Sequence, residues 1–275
     1  MNTPAYAVTF ACYNQIEYTR QCVDSLIKHG LDLSRLVVVD NGSTDGTREY
    51  LSTLPLGRLI FNKANLGCGV AWNQGALALQ AEWTIVMNND VLASPLWLEN
   101  LINVAEQNQL KIISPALVEG ELDYDFDDFV NQASAKMQMA LRLGGRHAVC
   151  MAIHESVWQD IGYFQPIPKL RGYEDAVFFR EVEKASIPCA ITGASWLHHY
   201  GSVTQKIMKQ ERGLSQNDDL PDRRLSLRLL RQNWLERKLK KMLRIRQIRK
   251  WRDDELARYA MSMHVSRHNN HFRWQ

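Results

Sequence analysis

Trp83-Thr-Ile-Val-Met-Asn-Asn-Asp-Val91 is the stretch from which the rest of the chain can be read. A short apolar run, Ile85-Val-Met87, stops at two amides and a carboxylate, Asn88-Asn89-Asp90. A strand buried on both faces of a parallel sheet has this continuous apolar character, and its C-terminal end is where such sheets open a ligand site. Asp90 is the only acid between Glu82 and Glu99, so the carboxylate at the strand tip stands alone. An isolated hard carboxylate suits a divalent cation that also holds a diphosphate. The same residues suit a purely structural part, with Asp90 capping the next helix and the two asparagines in a turn.

The preceding residues supply the company such a strand needs. Tyr6 to Cys12 is rich in β-formers and predicts a strand, with Tyr13-Asn14-Gln15 as the loop at its end. Glu17 to Lys28 carries Cys22, Val23, Leu26 and Ile27 at helical spacing, with Gly30 just past the end. Leu36-Val-Val-Val39 is a second apolar strand, stopping in Asp40-Asn-Gly-Ser-Thr-Asp-Gly46, where Ser43 to Asp45 can cap a helix from Thr47. Leu59 to Phe61 predicts a third strand, Asn62 to Gly67 a loop, and Gly69 to Leu79 a small-residue helix. Four strands alternating with helices predict an α/β fold on a mostly parallel sheet. Each strand ends in polar turn-formers. Polar βα loops are general, but Asp40 and Asp90 stand directly after apolar runs.

Further along, the pattern predicts a helix from Trp97, a strand over Lys111 to Val118, and a strand over Ala148 to Ile153 with a short helix to Ile161. Glu119 to Asp128 is dense in acids and reads as a solvated surface loop in preference to a metal site. Gly162 to Pro168 is turn-rich and leads through Arg171-Gly-Tyr173 to Glu174-Asp175 at the start of a helix, where the helix dipole alone favours acids. Pro188 to Ile191 predicts a strand, and Trp196 to Thr204 the loop after it.

Charge divides the chain. Residues 1–204 hold 14 Lys/Arg against 22 Asp/Glu, a net −8, and residues 205–275 hold 19 against 8, a net +11. The division predicts a body over 1–204 and a basic, amphipathic helical tail over 205–275. From Asp222 to Trp251 the tail repeats Arg, Lys and Leu, with Leu227, Leu230 and Trp234, then Leu235, Leu239, Met242 and Ile245, at helical spacing. Such a helix can attach to an anionic membrane surface, pair with a second subunit as a homodimer, or pack on its own body. Nucleic acid is not expected, since the body is acidic and carries no recognised binding motif. His268-Asn-Asn-His271 reads as a frayed terminus. No apolar run approaches the roughly 20 residues that span a bilayer, and the N-terminus enters a strand-like pattern without a basic leader. The five scattered cysteines suggest a reducing compartment, so a cytoplasmic location, possible at the inner face of a membrane, is expected.

The order of motifs resembles an inverting glycosyltransferase of family 2 with the GT-A fold, closest to its rhamnosyltransferase-like branch. The matching pieces are Val8 to Leu26, Val37 to Thr47, Asn65 to Gly75, Met87 to Val91, Gly162-Tyr-Phe164, Glu174-Asp175 with Arg180, and His199 to Thr204. They cover about residues 6–204.

That resemblance implies roles. Tyr13, Asp40, Asn41, Asn65, Gly67, Asn88, Asn89 and Glu174 fall where the family binds a nucleotide-sugar, UDP-, dTDP- or GDP-linked. Asp90 and His199 fall at the Mn²⁺ or Mg²⁺ position, with His198 beside the second. Asn88 stands where the family has the first Asp of Asp-x-Asp, so Asp90 alone brings a carboxylate. Asp175 is the implied general base. Phe164-Gln165-Pro166 replaces the usual Phe-Asp-Glu and removes acids from the acceptor side, so the acceptor (glycan, lipid-linked or protein) is left open. The residue types suit the chemistry. A sugar hydroxyl needs a positioned carboxylate to take its proton, and a departing diphosphate needs a Lewis acid. Two other readings remain, a nucleotidyltransferase and a non-catalytic nucleotide-sugar-binding scaffold. The first wants a Gly-rich phosphate loop and a base after the first strand, and Ala11-Cys-Tyr-Asn14 offers neither. The second has no use for Asp90, Asp175 and His199 together.

Overall fold

The computed structural model describes residues 5–166, 174–201, 203–211, 213, 215 and 233–275, without the side chains of 204, 205, 208 and 211. β1 (Tyr6–Cys12), β2 (Leu36–Asp40), β3 (Arg58–Phe61) and β4 (Trp83–Asn88) lie in the order β3-β2-β1-β4, all parallel. Their connections are α1 (Ile16–Lys28), α2 (Thr47–Ser52) and α3 (Cys68–Ala78). The sheet continues through β8 (Cys150–His154), antiparallel to β4, to β6 (Ile112–Gly120). β9 (Cys189–His199) pairs parallel with β6 and carries the short antiparallel strands β5 (Val91–Ala93) and β7 (Leu141–Leu143).

Alternation along β1 and β4 assigns their side chains to two cores. Val8, Phe10 and Cys12 of β1 and Trp83, Ile85 and Met87 of β4 pack with Cys22, Val23 and Leu26 of α1 and with Leu101 and Ile102 of α4 (Trp97–Gln107). On the other face Val86, Met151 and Ile153 meet Trp72 of α3 and Phe178 of α7 (Glu174–Lys184), with Phe164 between them. Because both faces are covered, the strands read as apolar runs. Burying a side chain such as Ile85 contributes about 1.5–3 kcal/mol. Gly75 lets α3 close on β1, where a Cβ would stand 1.8 Å from Thr9 Oγ1.

Three sequence expectations need correction. Residues 196–199 are not loop: β9 runs on to His199, buried between β5 and β6, and α8 (Val203–Glu211) begins four residues later. The acidic run is not one surface loop either. Glu119 and Gly120 finish β6, while Asp125 caps α5 (Phe126–Met137), its carboxylate accepting from Asp128 N at 2.9 Å. Acids in that first turn complement the helix dipole, and Phe126, Val130, Ala133 and Met137 form the buried stripe. Finally, His268 to His271 is no frayed end but the turn between β10 (His264–His268) and β11 (His271–Trp274), with β10 parallel to β6.

Within the tail, α9 (Trp234–Tyr259) is a helix dense in Arg and Lys that starts at a capping box between Asn233 and Glu236. The expected helical residues 222–232, with Leu227 and Leu230, lie outside the described residues, as do Pro168, Arg171 to Tyr173 and Ser202. A buried fork fastens the far end of α9. Arg142 of β7 donates to Glu255 Oε1 at 2.6 Å and Oε2 at 2.9 Å, and to Ser262 Oγ at 2.8 Å. Charge divides the chain near residue 204, whereas the sheet takes in β10 and β11.

Candidate active site

The carboxyl ends of β1, β2 and β3 are tied together by their own loops. Two consecutive non-glycine residues after β1, Asn14 and Gln15, hold left-handed backbone, φ 52° and 61°. Asn14 N donates to Ser43 Oγ at 2.8 Å, and its Oδ1 accepts from Thr44 N at 2.8 Å. Asp45 accepts from Ile16 N at 3.0 Å and from the Thr47 hydroxyl at 2.6 Å, so one carboxylate starts both α1 and α2. Tyr13 is half-buried in the same loop.

Asp40 is fully buried. Its carboxylate accepts from Gly42 N and Ser43 N at 3.2 Å and from Arg48 Nε at 2.7 Å. Asn41 donates to Gly67 O at 3.3 Å and accepts from Asn62 at 2.9 Å, while Asn62 and Gln74 exchange amide bonds. Asn65 Oδ1 accepts from Gly67 N at 3.0 Å, and Gly67, at φ 89°, leads into α3. The geometry therefore gives Asp40, Asn41 and Asn65 a local task, holding three loops in one rigid rim. Arg48 and Asn62 belong to that rim and were not singled out from the sequence. Nothing in their spacing marks them, since each works through a partner on another loop.

At the tip of β4 the three polar residues diverge. Asn88 is half-buried, and no hydrogen bond to its amide is found among the described residues. Asn89 is buried and donates to Thr19 Oγ1 of α1 at 3.0 Å. Asp90 is buried too: its Oδ2 accepts from Val203 N, the start of α8, at 3.1 Å, and its backbone O accepts from Tyr200 N at 3.0 Å. So Asp90 does cap a helix, but one far along the chain. Its Oδ1 lies 3.4 Å from His199 Nε2.

His199 and His198 point to opposite faces of β9, as strand alternation requires. His198 Nδ1 meets the Tyr124 hydroxyl at 2.9 Å; burial and the charge on His199 push its pKa down to about 4. His199 is the one beside Asp90. Burial opposes its charge, but Asp90 and Glu119 outweigh that and raise its pKa to about 9. Burial likewise opposes ionisation of Asp90, and His199 with the Val203 N–H holds the carboxyl below its usual range. Glu119, which the sequence reading left in a solvated run, accepts His199 Nδ1 at 2.8 Å. The pair is read directly from strand register, Glu119 opposite His199.

Glu174 and Asp175 open α7. Glu174 is buried against α3, where its Cβ and Cγ lie 3.0 Å from the place a Cβ on Gly69 would take. Asp175 is half-buried, and desolvation raises its pKa, opposed by the Ala176 N–H at 2.8 Å and by the charge of Arg244 on α9. Cys68, at the start of α3, feels the charges of Glu174, Asp90 and Asp175 together; with desolvation as the larger cause they push its thiol up to about 12. Both carboxylates singled out from the sequence therefore act on this one thiol. Asn73 ties α3 to the segment before α7, donating to Phe164 O at 2.6 Å and accepting from Phe164 N at 3.0 Å. Arg180 Nε donates to Glu181 Oε1 at 2.8 Å.

Residues 8–164 match the family profile described as glycosyl transferase family 2. The chain belongs to that family. Among curated relatives of this family-2 chain, an uncharacterized glycosyltransferase of Haemophilus influenzae is 28% identical over 111 residues, 39% of this chain and 34% of that one. The putative glycosyltransferase EpsH of Bacillus subtilis is 27% identical over 108 residues, 38% of this chain and 31% of that one. The likeness therefore spans about a third of those relatives' length. Two solved structures share the GT-A fold. GalNAc-T7 with UDP, GalNAc and Mn²⁺ superposes with TM-score 0.58 at 15% identity, covering 72% of this chain and 44% of that one. Mannosyltransferase PcManGT from Pyrobaculum calidifontis, in complex with GDP-Man and Mn²⁺, gives 0.57 at 18%, covering 77% and 61%.

Proposed function

We propose that this family-2 chain is a metal-dependent inverting glycosyltransferase. It would move a sugar from a UDP-, dTDP- or GDP-linked donor to a hydroxyl of a glycan, lipid-linked or protein acceptor. The observation that carries the reading is the pair Asp90 and His199, with Oδ1 3.4 Å from Nε2 at the end of β4, and Asp175 would face the same site.

The donor set fits a hard divalent cation such as Mn²⁺ or Mg²⁺. Among the described residues His199 Nε2 is buried without a hydrogen-bond partner, and 3.4 Å from Asp90 Oδ1 is long for a hydrogen bond. Two ligands about 2.1 Å from an octahedral ion stand about 3 Å apart. Among the described residues no group of three or more His, Cys, Asp or Glu is so arranged that all could hold one metal ion. The protein would therefore bring two ligands and leave the rest to water and a diphosphate, the usual economy of such sites. When bound, the ion supplies Lewis-acid stabilisation of the departing diphosphate. Its arrival would displace the proton that His199 otherwise keeps.

The chain's own residues do the remainder. The rim built on Asp40, Asn41, Asn65 and Gly67, with Tyr13 at its edge, holds the nucleotide. Asn88, at the tip of β4, would face the donor, and Glu174 fixes the approach of α7. Asp175 removes the acceptor's proton, and its raised pKa moves it towards the operating pH, where a general base works best. Attack from the Asp175 side and departure from the Asp90 side invert the anomeric centre. Release of nucleoside diphosphate from a donor panel with Mn²⁺ tests the reading; no release and no donor-induced thermal shift would refute it.

A second attribute is favoured by α9. Trp234, Leu235, Leu239, Met242, Leu243 and Ile245 are exposed large apolar residues on a helix dense in Arg and Lys. Among the described residues no helix is long and apolar enough to cross a membrane. Peripheral attachment to an anionic surface, where a lipid-linked acceptor would lie, accounts for both features, and Arg244 brings the helix close to Asp175. Co-sedimentation with phosphatidylglycerol vesicles tests it; the triple change Lys240→Glu, Lys241→Glu, Arg244→Glu should abolish binding. Unchanged binding would refute the attachment.

A further inference from the structure

Glu119 has no part in the reaction above, yet both its carboxylate oxygens are engaged. Oε1 lies 2.8 Å from His199 Nδ1, and Oε2 lies 2.7 Å from His264 Nε2 on β10. The carboxyl is held far below its ordinary range by these two imidazoles, His199 first. The backbone is built for this meeting. Gly120, at φ 121°, lets β10 approach so closely that a Cβ there would stand 2.2 Å from Arg267 O. His147 is half-buried, its Nε2 on Pro115 O at 2.8 Å, and it feels the charges of His264, His199 and Glu119.

We propose that Glu119, clamped by His264 of the C-terminal hairpin, is the positioning residue that orients His199 for the cation, so that the end of the chain completes the metal site. This rests on the reading of Asp90 and His199 as cation ligands. A carboxylate on Nδ1 fixes the ring's orientation, keeps Nε2 turned towards Asp90, and strengthens the imidazole as a ligand once Nε2 gives up its proton. A Glu with one partner could swing about its own side chain; the second imidazole removes that freedom. Tying β10 to β6 is a lesser use for these groups. Backbone pairing from His264 to Arg267 already joins the two strands, and a partly exposed ion pair adds little to such a ladder.

The test is Mn²⁺ affinity, followed by the electron paramagnetic resonance of free Mn²⁺ on the full chain, with saturating UDP, GDP or dTDP in parallel. Glu119→Gln should weaken Mn²⁺ binding by about 10–100-fold while metal-free nucleotide binding stays as in the unmodified chain. Glu119→Asp should fall between. His264→Gln, which keeps an N–H towards Glu119, should bind Mn²⁺ better than His264→Leu. The proposal is overturned if Glu119→Gln holds Mn²⁺ within about twofold of the parent chain, or if metal-free nucleotide binding falls equally. If the parent chain takes up no Mn²⁺ with any of the three nucleotides, the cation reading itself fails and carries this proposal with it.

Discussion

Asp175→Asn keeps the shape of the first turn of α7, because an amide oxygen can still accept from Ala176 N, where the carboxylate does so at 2.8 Å. What disappears is the capacity to take a proton. General-base catalysis contributes roughly 10²–10⁴-fold, or about 3–5 kcal/mol of barrier at 1.36 kcal/mol per tenfold, and kcat should fall by that amount. Donor binding should persist, since Asp90, His199 and the loop rim are untouched. The stability consequence has a definite sign. Burial raises the Asp175 carboxyl above its ordinary 3.8, so the native state holds that proton more tightly than the unfolded chain does. Stability from this group is complete below the unfolded value and is lost as pH rises through the raised native one. At pH 7 the ionised carboxylate is therefore a burden, and the Asn variant should melt at the same temperature or higher, with the difference gone below about pH 3.8. The same shift places the acid limb of kcat/KM above the ordinary carboxylate range. Nucleoside-diphosphate release, donor-induced thermal shift and melting against pH measure all three. Turnover within tenfold of the parent chain, or a variant that melts below the parent at pH 7, would refute the assignment of Asp175 as a desolvated base.

Other expectations follow from single contacts. Glu255→Ala leaves the buried Arg142 guanidinium without its fork; breaking such a pair from one side costs about 3–5 kcal/mol, readable by urea unfolding. Gly75→Ala sets a methyl 1.8 Å from Thr9 Oγ1, and overpacking of this kind costs about 1–3 kcal/mol; an unchanged urea midpoint would contradict the close α3–β1 approach. Arg48→Met removes the cation at 2.7 Å from Asp40 and loosens the nucleotide rim, so KM for donor should rise with kcat little changed.

Much of the front of the molecule was legible from local pattern. Leu36-Val-Val-Val39 and Ile85-Val-Met87 are apolar without interruption because helices cover both faces of their sheet, and the turn-formers after each strand mark where it stops. The acidic run was misread because composition does not distinguish a solvated loop from a helix start: Asp125, Asp127 and Asp128 serve the first turn of α5, and Glu119 ends a strand. Trp196 to His199 was misread as a loop because its polarity comes from two histidines whose burial depends on β5 and β6 lying alongside. The hairpin from His264 to Trp274 gave no warning, since alternating His and Arg resemble a solvated end until β6 supplies a partner.

Strand and helix order, the polar sheet edge and the isolated Asp90 were written in residue types at short spacing, because backbone propensity and burial periodicity act over a few residues; Asp175 and His199 became candidates only through the resemblance in motif order. Tertiary packing was needed to choose His199 over His198, to bring Glu119 to it across 80 residues, and to deliver His264 to Glu119 across 145. Register between strands distant in the chain sets those meetings, and register is a property of the assembled sheet.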